Sequence, residues 1–132
     1  MRMSTRTRYG LRAVIELTKA EAKKGGASVS EIARKQGLSV KYLENIFSAL
    51  RRAGIVKAVS GRQGGYRLLK QANEITVFDV MRAVGEGTAL VKCVKDARIC
   101  DKSRKCKARK FWKRLSELIE TATRTVKLAD FV

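Results

Sequence analysis

Residues 28–66, SVSEIARKQGLSVKYLENIFSALRRAGIVKAVSGRQGGY, carry two short amphipathic helices and a glycine-rich hairpin in unbroken succession. Ser28 followed by Glu31 is a capping box: the hydroxyl accepts a backbone N–H while the carboxylate reaches back. Ile32 and Ala33 then face inward. Gly37 ends the helix, because glycine tolerates the left-handed conformation of a tight exit. Ser39 is the N-cap of a second helix. Its apolar stripe is Leu43, Ile46, Phe47 and Leu50, which leaves Lys41, Tyr42, Glu44, Asn45 and Ser48 on the other face. Two such helices around a Gly-containing turn read as helix-turn-helix, although a plain helical hairpin with a solvated face shares the pattern. Gly54 stops the second helix. Ile55–Val59 then reads as a strand, Ser60–Gly65 as a turn, and Tyr66–Leu69 as the returning strand. A basic glycine-rich hairpin directly after a recognition-type helix is the order of a winged helix. Glycines let the wing tip come close to a phosphate backbone, and Arg62 is placed to enter a minor groove.

The flanks complete the fold. A first helix is expected from about Ser4 to Lys23, with Tyr9, Ala13, Val14, Leu17 and Ala20 as its buried face. Thr76 and Asp79 form a second capping box, with Ile75 and Val80 as a hydrophobic staple. Residues 88–104 read as a loop holding the cysteines. A long final helix is expected from about Lys105 to Arg124, its stripe formed by Ala108, Phe111, Trp112, Leu115, Leu118, Ile119, Ala122 and Val126. So small a chain offers this helix little core, which points to a twin helix in a second copy. The expected architecture is mainly α with a small β-hairpin wing: a winged helix-turn-helix over residues 1–84, then a cysteine loop and long C-terminal dimerisation helix over 85–132, in one compact unit.

Charge narrows the partner. The chain has 132 residues and a formal net charge of +18, which suits DNA, RNA or an anionic membrane. No window approaches ~18 consecutive apolar residues, so a membrane role is not expected. No secretory signal is evident, and a cytoplasmic location with reduced thiols follows. A basic RNA-binding protein is the rival reading. Aromatics make up only 6% of the chain and most fall on core stripes, so a base-stacking surface is lacking. Enzyme chemistry at a thiol is not expected: there is no histidine to act as base and no Cys-x-x-Cys dithiol. Cys93, Cys100 and Cys106 lie in a polar, cationic segment, not on an apolar stripe. Cationic surroundings favour the thiolate, the form that binds metal or reacts with oxidants. Spacing alone leaves solvated or redox-active thiols and a metal site both open.

Arg8-Tyr9-Gly10-Leu11, Tyr42-Leu43-Glu44-Asn45-Ile46-Phe47-Ser48, Leu50-Arg51-Arg52-Ala53-Gly54-Ile55-Val56, Gly64-Gly65-Tyr66 and Phe111-Trp112 together resemble the Rrf2 family of bacterial regulators, the IscR, NsrR and CymR types. The matches run in order along essentially the whole chain. The resemblance implies a homodimeric winged-helix regulator of double-stranded DNA with the long C-terminal helix at the dimer interface. Base-facing family positions fall on Lys41, Glu44 and Asn45. Asn45 suits an adenine edge and Glu44 a cytosine amino group. Ser28, Tyr42, Arg51 and Arg62 are expected at phosphates, and Ser39, Ser60, Gly61, Gln63 and Gly64 complete the expected DNA-contacting set. Ser60 stands where the IscR pattern has an arginine, with Arg62 two residues later.

The resemblance also implies an iron–sulfur cluster on Cys93, Cys100 and Cys106, of the 2Fe-2S type with 4Fe-4S as the alternative. The first cysteine gap is one residue longer than in the family. The fourth ligand is unknown. One subfamily's histidine position falls on Arg109, and another's carboxylate, borrowed from the partner's first helix, falls on Arg8. Arginine cannot be deprotonated to serve. Asp96, Asp101, water or a small external thiol remain. Cysteine-free family members sense through a protein partner, so a cluster-free regulator with such a partner is the second reading implied. Signal transfer would run from the cysteine loop through the dimer helix to the spacing of the two recognition helices.

Overall fold

The structure, a computed structural model, describes residues 2–61 and 64–132. Its elements are α1 (Thr5–Lys24), α2 (Val29–Gln36), α3 (Val40–Arg52), β1 (Val56–Val59), β2 (Gly65–Leu68), α4 (Val77–Ala83), α5 (Lys92–Lys95) and α6 (Lys107–Thr125). Short 3-10 turns lie at Ala72–Glu74, Ala97–Ile99 and Leu128–Phe131. The mainly helical fold with one antiparallel hairpin is the one expected from the sequence.

Hydroxyl caps start the helices where the sequence put them. Ser4, Ser28, Ser39 and Thr76 accept from the backbone N–H of Thr7, Glu31, Tyr42 and Asp79. Each cap contributes about 1 kcal/mol. Gly37 closes α2 in the left-handed region at φ 66°. One core follows from the predicted stripes: Ala13, Val14 and Leu17 of α1 meet Ile32, Leu43, Ile46, Phe47 and Leu50 of the helix pair. Leu17, Leu43, Ile46, Phe47 and Leu50 have no exposed surface. Gly10 lets α1 cross closely here, since a Cβ at that position would meet Val84 Cγ1 at 3.2 Å.

The hairpin pairs Val56 with Leu68 and Val59 with Gly65. The first strand therefore starts one residue later than expected and ends where expected, the second starts and ends one residue earlier, and Leu69 is left exposed. The wing is fixed to the body in three ways. Tyr66 N donates to the Ala27 carbonyl (3.1 Å), Leu68 N donates to the Glu21 carboxylate (2.8 Å), and the Tyr66 ring stacks on Phe47 at 4.9 Å. Gly65, at φ 152°, lies so close to Ala27 that any Cβ would overlap its carbonyl. This glycine thus serves packing at the base of the wing, a different role from the phosphate approach expected of the tract.

Four expectations are corrected. Glu31 leaves the Ser28 capping box half made: its carboxylate pairs with Lys24 Nζ at 2.6 Å, which holds the Glu31 carboxyl below its ordinary range. The cysteine segment is not all loop, because α5 and the Ala97–Ile99 turn lie within it. The last helix starts two residues late, with Cys106 as its N-cap. It also ends at Thr125, so Val126 leaves the helical stripe for an extended conformation. The cause is a return of the chain to the winged body: Val77 N donates to Val126 O and Leu128 N to Ile75 O, both at 2.9 Å. Leu128 is fully buried in the main core, and burying such a side chain contributes about 1.5–3 kcal/mol toward that return.

Candidate functional site

The outer face of α3 carries the first part of the site. Lys41, Glu44, Asn45, Ser48 and Arg51 are exposed, as are Ser39 at the cap and Ser60, Gly61 and Gly64 of the wing. The helix buries Leu43, Ile46, Phe47 and Leu50 behind them, so its polar residues are held out on a rigid support. Tyr42 is half-buried, its ring edge-on to Tyr9 at 6.1 Å, which leaves only part of it for an outside partner. Ser28 is half-buried and already engaged as the α2 cap. At the wing, Gly64 N donates to Gly61 O at 3.1 Å. Arg62 and Gln63, both expected at DNA, lie outside the described residues.

One neighbour of this face had no signal in the sequence. Arg6, in the first turn of α1, donates from Nε to the Val84 carbonyl (3.1 Å) and from its guanidinium to Asn45 Oδ1. That contact links residues 39 apart in sequence, which no helical period reveals. It fixes the Asn45 amide with one carbonyl lone pair in use and both N–H donors free. Nearby, hydrogen bonds from Ser4 and Thr7 hold the Glu86 carboxyl below its ordinary range and tie the start of α1 to the chain after α4.

The second part is the cysteine loop. Cys93 lies on α5, Cys100 follows the Ala97–Ile99 turn, and Cys106 caps α6; all three are half-buried free thiols. Arg109 joins the two ends of the loop. Its Nε donates to the Cys93 carbonyl (3.0 Å) and its backbone N–H to Cys106 Sγ (3.4 Å). The position where one subfamily has a histidine is therefore a brace here. Asp96 is occupied by Arg98, which donates to both carboxylate oxygens and holds that carboxyl below its ordinary range. Asp101 is exposed.

Among the described residues, no three Cys, Asp or Glu side chains converge on a point that one metal ion would fill. An iron–sulfur cluster is wider than one ion, and thiols on different irons need not share a point. Donor chemistry fits such a group: three free, half-buried thiols in a cationic segment that offsets cluster charge. A further observation fits it too. Ser103, between Cys100 and Cys106, is 5% exposed, and its Oγ is the one buried side-chain oxygen or nitrogen among the described residues without a hydrogen-bond partner. An unpartnered buried hydroxyl costs about 1–3 kcal/mol, so Ser103 is a position that a hydrogen-bonding or ligating partner would stabilise.

The third part is α6. It meets its own chain through a mixed side: Ser116 is buried and accepts from Leu90 N (3.1 Å), while Arg109 and Thr123 are half-buried. The apolar stripe lies beside that contact and is open in part: Leu115 and Ile119 are half-buried, while Phe111 is 58%, Trp112 39% and Leu118 49% exposed. Among the described residues no helix is long and apolar enough to cross a membrane.

Two capped helices, a hairpin wing packed behind them and a cationic outer face define a winged helix-turn-helix protein. The Rrf2 family model, described as an iron-dependent transcriptional regulator, matches residues 3–132. Protein rrf2 of Nitratidesulfovibrio vulgaris is 34% identical over all of this chain and 87% of its own length. IscR of Serratia proteamaculans is 34% identical over the whole chain and 79% of its own. Among solved structures, B. subtilis CymR, the global cysteine regulator, superposes with a TM-score of 0.79 at 32% identity, over 98% of this chain and 95% of its own. T. potens IscR superposes with a TM-score of 0.79 at 33% identity, over 98% and 85%. The chain belongs to the Rrf2 family: it is a transcriptional regulator of the IscR and CymR type, and its relatives are regulators, not enzymes.

Proposed function

We propose that this regulator works as a homodimer, setting α3 of each copy in the major groove of double-stranded DNA with the wing beside it. The observation that carries this reading is the two-sided character of α3. Its stripe of Leu43, Ile46, Phe47 and Leu50 has no exposed surface, while Lys41, Glu44 and Asn45 are exposed on the outside. Lys41, Glu44 and Asn45 face bases; Arg51, Arg62, Ser28 and the Tyr42 hydroxyl face phosphates, with Ser39, Ser60, Gly61, Gln63 and Gly64 lining the backbone path. Residues 1–84 supply the DNA-binding unit and 85–132 the sensing loop and dimer helix, within one compact body acting in the cytoplasm. The open stripe on α6 supports the second copy: exposed apolar residues in a row at helical spacing suit a twin helix.

Asn45→Ala is expected to lower affinity for the preferred operator by about 1–3 kcal/mol and to relax choice at one base pair. Arg6→Ala is expected to reproduce part of that loss by releasing the Asn45 amide. Binding measured on a panel of single-base operator variants checks both. Equal weakening on every sequence, as a lost phosphate contact gives, would remove Asn45 from base readout.

The same regulator senses redox, iron–sulfur or nitric oxide status through Cys93, Cys100 and Cys106, which hold an iron–sulfur cluster, of the 2Fe-2S type in preference to 4Fe-4S. Support comes from the three free thiols, from the iron-dependent description of the family and from relatives named IscR. When bound, the cluster supplies one-electron and nitric-oxide reactivity. The chain supplies thiolates, a cationic surround and, through the Arg109 brace, a mechanical link from the loop to the start of α6. Cys100→Ala is expected to abolish the brown colour and the iron and sulfide content of anaerobically purified protein while leaving its circular dichroism intact. Iron content equal to that of the unsubstituted protein would eliminate Cys100 as a ligand.

A further inference from the structure

We propose that Ser103 is the fourth protein ligand of the cluster, an assignment that rests on the cluster reading above. Cys100-Asp101-Lys102-Ser103-Arg104-Lys105-Cys106 places Ser103 three positions from each flanking cysteine, with two residues between. The run is Cys-x-x-Ser-x-x-Cys, the spacing at which consecutive thiols of bacterial ferredoxins ligate a cluster, with a hydroxyl in the middle position. The backbone turns Ser103 inward: Ser103 N donates to Cys100 O (3.2 Å) and Lys105 N to Lys102 O (3.1 Å). Asp101, Lys102, Arg104 and Lys105 consequently face solvent, while Ser103 alone of the five is buried. Its Oγ has no hydrogen-bond partner where it lies.

The other candidates are spent or unsuited. Asp96 has both oxygens on Arg98, Arg109 braces Cys93 and Cys106, and Arg8 is a guanidinium that cannot give up a proton. Asp101 is a solvated carboxylate on the outside of the turn. Serine binds as an alkoxide: its O–H bond breaks, an O–Fe bond forms, and the proton passes to water, with no electron transferred. Cluster affinity should accordingly rise with pH, as for any ligand that must lose a proton. A hard oxygen at one iron also makes that iron the more exchangeable one, since soft thiolates hold such clusters best.

The test uses the full chain reconstituted anaerobically with ferrous iron and sulfide, as the unsubstituted protein, Ser103→Ala and Ser103→Cys. Iron and sulfide are counted after gel filtration, and absorption and electron paramagnetic resonance spectra are recorded after reduction. Ser103→Ala is expected to hold its cluster about ten-fold or more weakly. Ser103→Cys is expected to restore full iron and sulfide, with stronger visible thiolate-to-iron absorption and altered resonance. Deleting an unpartnered hydroxyl does not harm the cluster-free fold, so the melting temperature of cluster-free Ser103→Ala should equal or exceed that of the unsubstituted chain. If Ser103→Ala keeps the same iron count and spectra as the unsubstituted protein, Ser103 is not a ligand, and the cluster reading stands. If the unsubstituted protein itself retains no iron, the cluster reading fails and takes the serine assignment with it.

Discussion

Leu118→Asp is expected to convert the protein to a monomer and to weaken binding to a two-half-site operator on the order of 10²- to 10⁴-fold, the range set by losing a tethered second contact. The reason is the way α6 spends its sides. Contact with its own chain uses Ser116, with Arg109, Leu115, Ile119 and Thr123 half-buried, whereas Phe111, Leu118 and Trp112 remain open. Each residue advances about 100° around a helix, which puts Phe111, Leu118 and Ala122 on one line. A carboxylate in the middle of that line must be desolvated if a twin helix covers it, at a cost a dimer interface does not absorb. Lys110→Gln changes net charge by the same unit on the charged side of the helix and serves as the control. Light scattering gives the oligomeric state, and titration on full and half operators gives the affinities. An unchanged dimer with unchanged operator affinity would place the interface elsewhere.

The winged body was legible in the sequence because local rules and the core agree there. Ser28, Ser39 and Thr76 cap their helices as their residue types require, and Leu43, Ile46, Phe47 and Leu50 repeat at the period their burial demands. The outer face of α3 followed directly, since residues off the buried stripe have nowhere else to go. Features that depend on distant partners were not legible. Val126 continues the helical spacing of α6, yet the pairing of Val126–Leu128 with Ile75–Val77 ends the helix. Glu31 fits a capping box by spacing, yet Lys24 takes its carboxylate. Arg6 carried no motif, and Arg109 was marked only as a position where a ligand was missing; their roles arise when Val84, Asn45, Cys93 and Cys106 are brought beside them. Ser103 looked like one polar residue in a polar loop, and only its burial sets it apart.

Phe47→Ala is expected to destabilise the fold by about 3–5 kcal/mol, the range for emptying a large aromatic site in a packed interior. Phe47 has no exposed surface, and it helps join the recognition helix to the hairpin: it lies in the middle of α3 and stacks on Tyr66 of β2. The cavity left would open in the middle of α3, across the helix from Asn45, and beside the base of the wing. Relaxation is restricted on both sides. Leu43, Ile46 and Leu50 are already fully buried, and Gly65 is pressed against Ala27, so neither the helix nor the hairpin is free to fill the gap. Stability and DNA affinity should therefore fall together, unlike Asn45→Ala, which removes only a surface amide and should leave stability within about 0.5 kcal/mol. Denaturant melts at fixed protein concentration, with midpoint and slope compared, give the first quantity, and operator titration well below the melting transition gives the second. A loss under about 1 kcal/mol would mean the Phe47–Tyr66 stack is not what joins the recognition helix to the wing.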